Sequence, residues 1–258
     1  MSLKVSPLPF YLGILFSAAL AGAKAQDFGA VAQSMPRLSM VLTGLYPPNS
    51  NFSADAEMQI KATGGPSVLI PMRFVVSGWH MRNELDMTRS SVIPPEAGNA
   101  MRSLKVDQIV FLTRIDRKKV SALFPRIQAF FDQPILDSTI EEIRVKSEKT
   151  VFTKTELGEE KIGGQLCAKT KMVPSGVPDE AATVWFAQDI QFPVKIEVAA
   201  RNETTTVLFK NIKLGAAKDA DFEVPSNFAR RKNADEITQL AKELFARSSQ
   251  GGGEPGPK

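Results

Sequence analysis

Hydrophobic and polar residues alternate with a period of two along most of this chain. From Phe52 to Ala62 the alternation is strict, with Phe52, Met58 and Ile60 on one face and Asp55 and Glu57 on the other. Such a pattern predicts an antiparallel strand with one buried and one hydrated face. Similar stretches separated by turn signals bring the prediction to about ten strands. They are Phe52–Ala62, Val68–Val76, Met81–Met87, Asp107–Asp116, Lys119–Pro125, Thr150–Leu157, Lys161–Val173, Thr183–Ile190, Phe192–Ala200 and Thr204–Leu214.

Two segments have the period of an α-helix instead. Gln33–Leu45 and Ala234–Ala246 carry apolar residues at helical spacing, and Asn233 and Glu236 have the spacing of a capping box before the second segment. The stretch from Pro94 to Ser103 predicts a loop with a short helix. The sequence therefore predicts a mainly β (α+β) fold with helices near both ends.

The number of strands limits how the sheet can bury its apolar face. Ten sequential antiparallel strands bury that face only if the sheet closes, curls or is covered. A sandwich, a barrel and a strongly curved half-barrel covered by helices all satisfy this condition. Residues Ile127–Ser147 show no consistent period.

The N-terminus, residues 1–25, has the three parts of a secretory signal peptide. Lys4 supplies the positive charge, Phe10–Leu20 the apolar segment, and Ala23-Lys24-Ala25 the small-residue cleavage site. We expect cleavage after Ala25 and no lipid anchor, because no cysteine lies near that site. The protein is therefore expected to be exported. The Ser/Gly/Pro-rich residues 247–258 are predicted to be disordered.

Composition argues against several classes of function. The chain has 32 Lys and Arg against 28 Asp and Glu, a net charge of +4 that falls to about +2 when Lys4 and Lys24 leave with the signal peptide. Because basic and acidic residues are interspersed, the sequence predicts no basic surface patch that would bind nucleic acid. Cys167 is the only cysteine and His80 the only histidine, and we expect a buried thiol and a histidine in a surface turn.

No pattern of residues indicates catalysis. The chain has no nucleophile elbow, zinc-protease, phosphate-loop or CxxC motif. The carboxylate pairs Asp55/Glu57 and Glu84/Asp86 lie on the hydrated faces of predicted strands, where solvation explains them. The sequence therefore predicts a protein that is not an enzyme and has neither a cofactor nor a metal site.

Three blocks of the second half resemble a known family. Leu157–Lys169, with its Gly163-Gly164 turn, Val184–Lys195 and Asn211–Phe228 resemble, in order and spacing, segments of the outer-membrane lipoprotein carrier (LolA-like) superfamily. The likeness is greatest to its uncharacterised outer-membrane lipoprotein-sorting-like branches. In the first half, Leu69–Met87 and Val120–Phe130 resemble its early strands by pattern, so the likeness spans residues 50–228.

The resemblance implies a curved antiparallel half-barrel covered by helices, with an apolar cavity for acyl chains between sheet and helices. On this basis residues 26–229 form the LolA-like domain and residues 230–246 a C-terminal helix. An ordinary packed core explains the same alternation without a ligand. The inward residues that are candidates to line the cavity are Met58, Ile60, Met72, Phe74, Leu85, Met87, Phe111, Phe124 and Trp185.

The function implied by the resemblance is that of a periplasmic carrier or chaperone for the acyl chains of lipoproteins or lipids. The expected partners are those acyl chains and inner- or outer-membrane-associated proteins, with no nucleic acid, and the protein is expected to be a monomer. The alternative is an envelope regulatory or sensor module that has the same fold and uses it to bind a partner protein.

Overall fold

The computed structural model describes residues 50–65, 67–91, 93–138, 140–141, 151–175, 181–199 and 203–250. The predicted signal peptide, the predicted helix Gln33–Leu45 and residues 251–258 of the predicted tail lie outside the described residues. Those three assignments stay predictions.

The described strands form one twelve-stranded sheet with the order β12-β6-β5-β4-β3-β2-β1-β11-β10-β9-β8-β7. Eleven strands are joined by antiparallel pairing, and β12 pairs with β6 in parallel. The strands are β1 Asn51–Ala62, β2 Ser67–Ser77, β3 His80–Asp86, β4 Gln108–Arg114, β5 Lys119–Phe124, β6 Ala129–Pro134, β7 Phe152–Ile162, β8 Gln165–Pro174, β9 Ala182–Ala187, β10 Phe192–Ala199, β11 Glu203–Leu214 and β12 Ala229–Arg231. The prediction of a mainly β fold is confirmed.

Strand β1 joins the two halves of the chain. β1 to β6 follow one another in the sheet as a meander, and β7 to β11 form a second meander that pairs with β1 through β11. The strict alternation predicted for β1 is present: Phe52, Met58 and Ile60 are buried, whereas Asp55 is exposed and Glu57 half-buried. A strand in the middle of a sheet has neighbours on both sides, so the buried face of β1 becomes the centre of the core.

Strand count is where the sequence prediction was wrong. β6 lies in the segment without a consistent period, and β12 has only three residues, too few for a period to be recognised. The predicted break at Gly158 is also absent, because β7 continues through it to Ile162. Gly158 has a φ of 99° and forms a bulge in which Leu157 has no partner on β8.

Two α-helices accompany the sheet in the described residues. α1 covers Pro95–Ser103, inside the predicted loop, and α2 covers Ala234–Gln250. The Asn233 side chain accepts a hydrogen bond from the Glu236 backbone N–H at 3.1 Å, as expected for an N-cap. α2 runs four residues into the segment predicted to be disordered. Ile237 and Ala241 of this helix are buried in the main core, at 2% and 1% exposure.

The two faces of the sheet are covered differently. The face that carries Met58 and Ile60 also packs against α1 and α2, and we call it the helix face. The opposite, outer face is crossed by residues 217–228, which we call the strap. Val224 and Phe228 of the strap pack on Val110, Leu112 and Leu123 of β4 and β5. After the strap, β12 joins the edge of the sheet beside β6.

Candidate functional site

Eight of the nine residues predicted to line a cavity share the helix face. Met58, Ile60, Leu85, Met87, Phe111 and Phe124 are buried members of one core cluster, with exposures between 1% and 8%. Met72 and Phe74 of β2 pack against the same cluster but are only half-buried. The alternation of the strands therefore placed these eight residues on the correct face, whereas ligand binding by them stays a prediction.

Trp185 does not share that face, and its inclusion in the set was wrong. It belongs to a separate cluster on the outer face with Cys167, Ala187 and Val194. The sequence did not reveal this because Val184, Trp185 and Phe186 are three consecutive apolar residues, and a run of that kind gives no phase. Val184 and Phe186 are the residues of β9 that face the main core.

Charged groups surround Trp185 on the outer face. Its indole N–H donates a hydrogen bond to Glu160 Oε2 at 2.9 Å, and the Lys195 ammonium lies 4.0 Å from the ring centroid. Lys169 lies 5.0 Å from the same centroid and donates to Glu160 at 3.1 Å. The hydrogen bonds from Trp185 and Lys169 lower the pKa of the Glu160 carboxyl. These contacts join β7, β8, β9 and β10, and they account for Trp185 without a ligand.

A line of paired residues crosses five strands of the helix face. Asn83 pairs in register with Phe111, Phe111 with Ala122, Ala122 with Phe131, and Phe131 with Arg231. We call this line the cross-strand row. Its middle is apolar, with Phe111, Ala122 and Phe131 at 8%, 3% and 1% exposure. The methyl group of Ala122 lies between the two phenyl rings along the row, and all three side chains are buried.

Both ends of the cross-strand row carry an unpaired polar atom. Asn83 Oδ1 and Arg231 Nε are buried and have no hydrogen-bond partner among the residues that the structure describes. An unsatisfied buried polar group costs about 1–3 kcal/mol, so two such groups on one face call for an explanation. A ligand that brings its own polar groups would satisfy them.

Two buried alanines of β1 lie among aromatic and methionine side chains on the helix face. Ala54 pairs with Phe74, and Ala56 pairs with Met72 and with Phe209. Around them the phenyl rings form a chain: the centroids of Phe74 and Phe209 lie 6.2 Å apart, those of Phe209 and Phe192 6.3 Å, and those of Phe192 and Phe52 4.8 Å. Aromatic pairs at such distances add about 0.5–1.5 kcal/mol each beyond the burial of their area, so these rings stabilise this part of the core.

His80 lies on the outer face of the sheet, where it contacts an acidic side chain and the strap. Its Nε2 lies 3.0 Å from Asp116 Oδ1, and its ring centroid lies 5.6 Å from that of Phe222 in the strap. The Arg114 guanidinium binds the same carboxylate through two hydrogen bonds of 2.9 and 2.8 Å and also binds Glu223. Arg114 therefore holds the pKa of Asp116 well below its usual range. These contacts attach the strap to β3 and β4.

The remaining observations concern metal ligands, membrane-spanning helices and the single cysteine. Among the described residues, no three or more His, Cys, Asp or Glu side chains are grouped as metal ligands. None of the described helices has the length and apolar character needed to cross a bilayer. Cys167 is fully buried, as predicted, and burial raises the pKa of its thiol.

Sequence reasoning missed Asn83, Ala122 and Arg231. Asn83 had a signal, since it is a polar residue in phase with Met81, Leu85 and Met87, the apolar positions of its strand. Ala122 had none, because any strand contains small residues. Arg231 belongs to β12, which only its pairing with β6 defines.

Comparison with known proteins gave matches among solved structures only; no family model and no curated protein matches the chain. One match is a LolA superfamily protein from Nitrosomonas europaea, 11% identical, with a TM-score of 0.31, covering 72% of this chain and 97% of that protein. The LolA superfamily is therefore among the matches. The superfamily named in this match is the one that the sequence motifs resemble.

Two further matches carry informative names. The Mycobacterium tuberculosis lipoprotein LppX is 14% identical, with a TM-score of 0.41, covering 74% of this chain and 99% of LppX. The Pseudomonas aeruginosa MucA/MucB complex is matched at 11% identity and a TM-score of 0.38, covering 73% of this chain and 61% of the matched chain.

Proposed function

We propose that this protein is a periplasmic carrier that holds the acyl chain of a lipoprotein or lipid against the helix face of its sheet. The observation that supports this most directly is the cross-strand row, an apolar strip whose two ends each carry a buried polar atom without a partner in the described part of the chain. A lipid has a long apolar chain with polar groups at one end, so its chain suits the strip and its polar end suits the unpaired atom at one end of the row.

The dimensions and chemistry of the row suit an acyl chain. Neighbouring strands lie about 4.8 Å apart, so the four strand steps from Asn83 to Arg231 measure roughly 19 Å along the sheet. Each CH₂ group gains about 0.8 kcal/mol when it leaves water, and an apolar strip therefore binds a chain without polar contacts along its length. The polar end of the ligand then binds either the Asn83 amide or the Arg231 guanidinium, which lie at opposite ends of the row.

The composition of the helix face suits a ligand of variable shape. Met58, Met72 and Met87 lie on it together with Met101 of α1 and Met172 of β8. Methionine side chains are flexible and polarizable, so they repack around different guests. Met72 and Phe74, half-buried at the centre of the sheet, are the predicted lining residues with the most surface to offer a ligand.

The first test is native mass spectrometry of the protein purified from its own periplasm. We expect the spectrum to show a bound lipid or acylated peptide. After delipidation, we expect the protein to bind a fluorescent fatty acid. A delipidated protein that binds no fatty acid contradicts the carrier function.

The variant Asn83→Leu gives a sharper test because two effects have opposite signs. Leucine removes the unsatisfied oxygen, so the free energy of unfolding should rise by about 1 kcal/mol, while a ligand loses a polar partner and binds more weakly. The control is Asn99→Leu, at an exposed position of α1, which should change neither. A variant with lower stability and unchanged binding contradicts a role for Asn83 in the site.

The variant Phe74→Glu separates a ligand site from a filled core. In an accessible site the carboxylate stays partly hydrated, so binding is lost with only a small loss of stability. In a filled core an unpaired buried charge costs several kcal/mol, a large part of a typical total of about 5–15 kcal/mol. Leu69→Glu is the control, since Leu69 lies on the opposite face of the same strand and is 39% exposed. An unfolded Phe74→Glu protein argues for the filled core.

The alternative function, an envelope regulatory module that binds a partner protein, has one observation in its favour. β7 forms an edge of the sheet, and its residues 153–161 are all exposed. A peptide that adds as a further strand binds such an edge through its backbone. Charged side chains and the Gly158 bulge oppose indiscriminate pairing, so the partner would need a matching sequence. Two results together favour this alternative. The native mass spectrum shows no lipid, and a protein from the same compartment binds the unaltered chain but not the Thr155→Pro variant.

A further inference from the structure

A groove lies on the outer face of the sheet, away from the cross-strand row. It has a volume of about 600 Å³ and is formed by β1 to β4, with Arg89 and Pro125 at its upper end and Lys210 of β11 at its side. We call it the outer groove. Its floor is partly apolar, with Pro71, Val110 and Pro125, and its sides carry charged residues of both signs.

The acidic residues of the outer groove already have partners. Glu57 accepts a hydrogen bond from Lys210 at 2.8 Å, and Glu84 accepts one from Arg82 at 2.7 Å. The other two carboxylates are held by neutral donors: Asp55 accepts from the Asn211 amide at 2.7 Å, and Asp86 accepts from the Thr88 backbone and hydroxyl at 3.0 and 2.7 Å. Glu57 and Glu84 are thus paired with a cation, whereas Asp55 and Asp86 keep their negative charge although each has a fixed hydrogen-bond donor.

Two guanidinium groups of the groove have no such partner. Arg73 and Arg89 line it, and neither forms a hydrogen bond or an ion pair with any residue that the structure describes. Arg73 lies in register between Asp55 and Glu84, but those two carboxylates are bound by Asn211 and Arg82.

The backbone places Arg89 close to Arg73. The Ser90 hydroxyl and the Ser91 N–H both donate to the carbonyl oxygen of Leu69, at 3.3 and 2.9 Å. The turn Met87–Arg89 is thereby fixed beside the upper part of β2. Arg73 lies four residues further along β2, about 13 Å from Leu69. The extended side chains of Arg73 and Arg89 together can span that distance.

We propose that the outer groove binds a phosphate group through Arg73 and Arg89. Guanidinium groups donate paired hydrogen bonds to phosphate oxygens, and two of them suit an anion with several oxygens better than a single charge does. The apolar floor at Pro71 and Val110 lies beside the phosphate and accommodates the glycerol or first acyl carbons of a phospholipid headgroup. The source of the phosphate is either such a headgroup or free phosphate.

This site is separate from the acyl site under "Proposed function". The two lie on opposite faces of the sheet, so loss of binding in one leaves the other intact. A failure of the phosphate proposal therefore does not touch the carrier proposal, and the reverse is also true.

The test is isothermal titration of the purified protein with inorganic phosphate and, separately, with dihexanoyl phosphatidic acid below its micelle concentration. Arg73→Gln and Arg89→Gln should each weaken binding about tenfold, and the double variant should abolish it. Arg247→Gln is the control, because Arg247 is exposed on α2 and equally without a partner among the described residues. Unchanged thermal unfolding midpoints show that the variants are folded.

The two ligands distinguish the source. Tighter binding of the phosphatidic acid than of phosphate, lost in the double variant, identifies a headgroup site; equal binding identifies a site for free phosphate. Binding of neither ligand overturns the proposal, and so does binding that Arg73→Gln and Arg89→Gln leave unchanged.

Discussion

Arg114 and Glu223 form an ion pair across the outer face although 109 residues separate them in the sequence. The Arg114 side chain is only 10% exposed and also donates to the backbone carbonyl of Phe222. Arg117 binds the same Glu223 carboxylate through two hydrogen bonds of 2.8 Å. These contacts fix the strap, and with it the approach of β12 and α2 to the edge of the sheet.

The first prediction concerns this attachment. Glu223→Gln should lower the free energy of unfolding by about 0.5–1 kcal/mol, a small loss because Glu223 is partly exposed and Arg114 keeps Asp116 as a partner. Asp219→Asn is the control, since Asp219 is exposed in the same strap. Urea denaturation measures both; a Glu223→Gln protein as stable as the control contradicts a stabilising role for the pair.

The second prediction is the pH dependence of the same contacts. Hydrogen bonds from Arg114 lower the pKa of Asp116, and those from Arg117 and Arg114 lower the pKa of Glu223, from ordinary values of 3.8 and 4.5. A carboxyl with a lowered folded-state pKa contributes stability above its unfolded pKa, so this contribution begins to be lost as the pH falls below about 4.5 for Glu223 and 3.8 for Asp116. Urea denaturation between pH 7 and pH 3 should show a smaller acid loss for Asp116→Asn than for the unaltered protein. Equal slopes would contradict the prediction.

The third prediction concerns α2. Ile237→Ala should lower the free energy of unfolding by about 2–5 kcal/mol, because Ile237 is buried to 2% exposure in the main core. Phe245→Ala, on the same helix at 47% exposure, is the matched control and should have a much smaller effect. If the two changes are equivalent in urea denaturation, α2 is not part of the core. The order of strands in the sequence predicts that truncation after Phe228 leaves the sheet folded. Because Ile237 and Ala241 are buried in the main core, we instead expect this truncation, which removes β12 and α2, to destabilise the sheet.

The fourth prediction uses the single cysteine. Cys167 is fully buried, and burial raises the pKa of its thiol, so both access and the thiolate fraction are low at neutral pH. A thiol reagent such as dithionitrobenzoate should label it only after the sheet opens, and the labelling rate should rise with urea in parallel with unfolding. Rapid stoichiometric labelling of the native protein would show that the Trp185 cluster opens locally.

Part of the candidate site could be predicted from the alternation of side chains alone. Met58 and Ile60 lie on the buried face because successive side chains of a strand point to opposite faces, whatever the strand pairs with. Trp185 was misplaced because its apolar neighbours Val184 and Phe186 hide the phase. Gly158 was read as a turn because glycine marks both turns and bulges, and only the pairing of β7 with β8 distinguishes them.

The sequence by itself determined the class of fold, the phase of most strands and the cap of α2, since each depends on residues close together in the chain. Only the tertiary structure decided that β11 joins β1, that β12 exists, and that Asn83 and Arg231 stand at the two ends of one row. The reason is that strand order and register come from contacts between distant segments, whose favourable free energy is the burial of apolar surface on both. Alternation states which face of a strand is buried, but the sequence of one strand does not state which other strand covers or extends it.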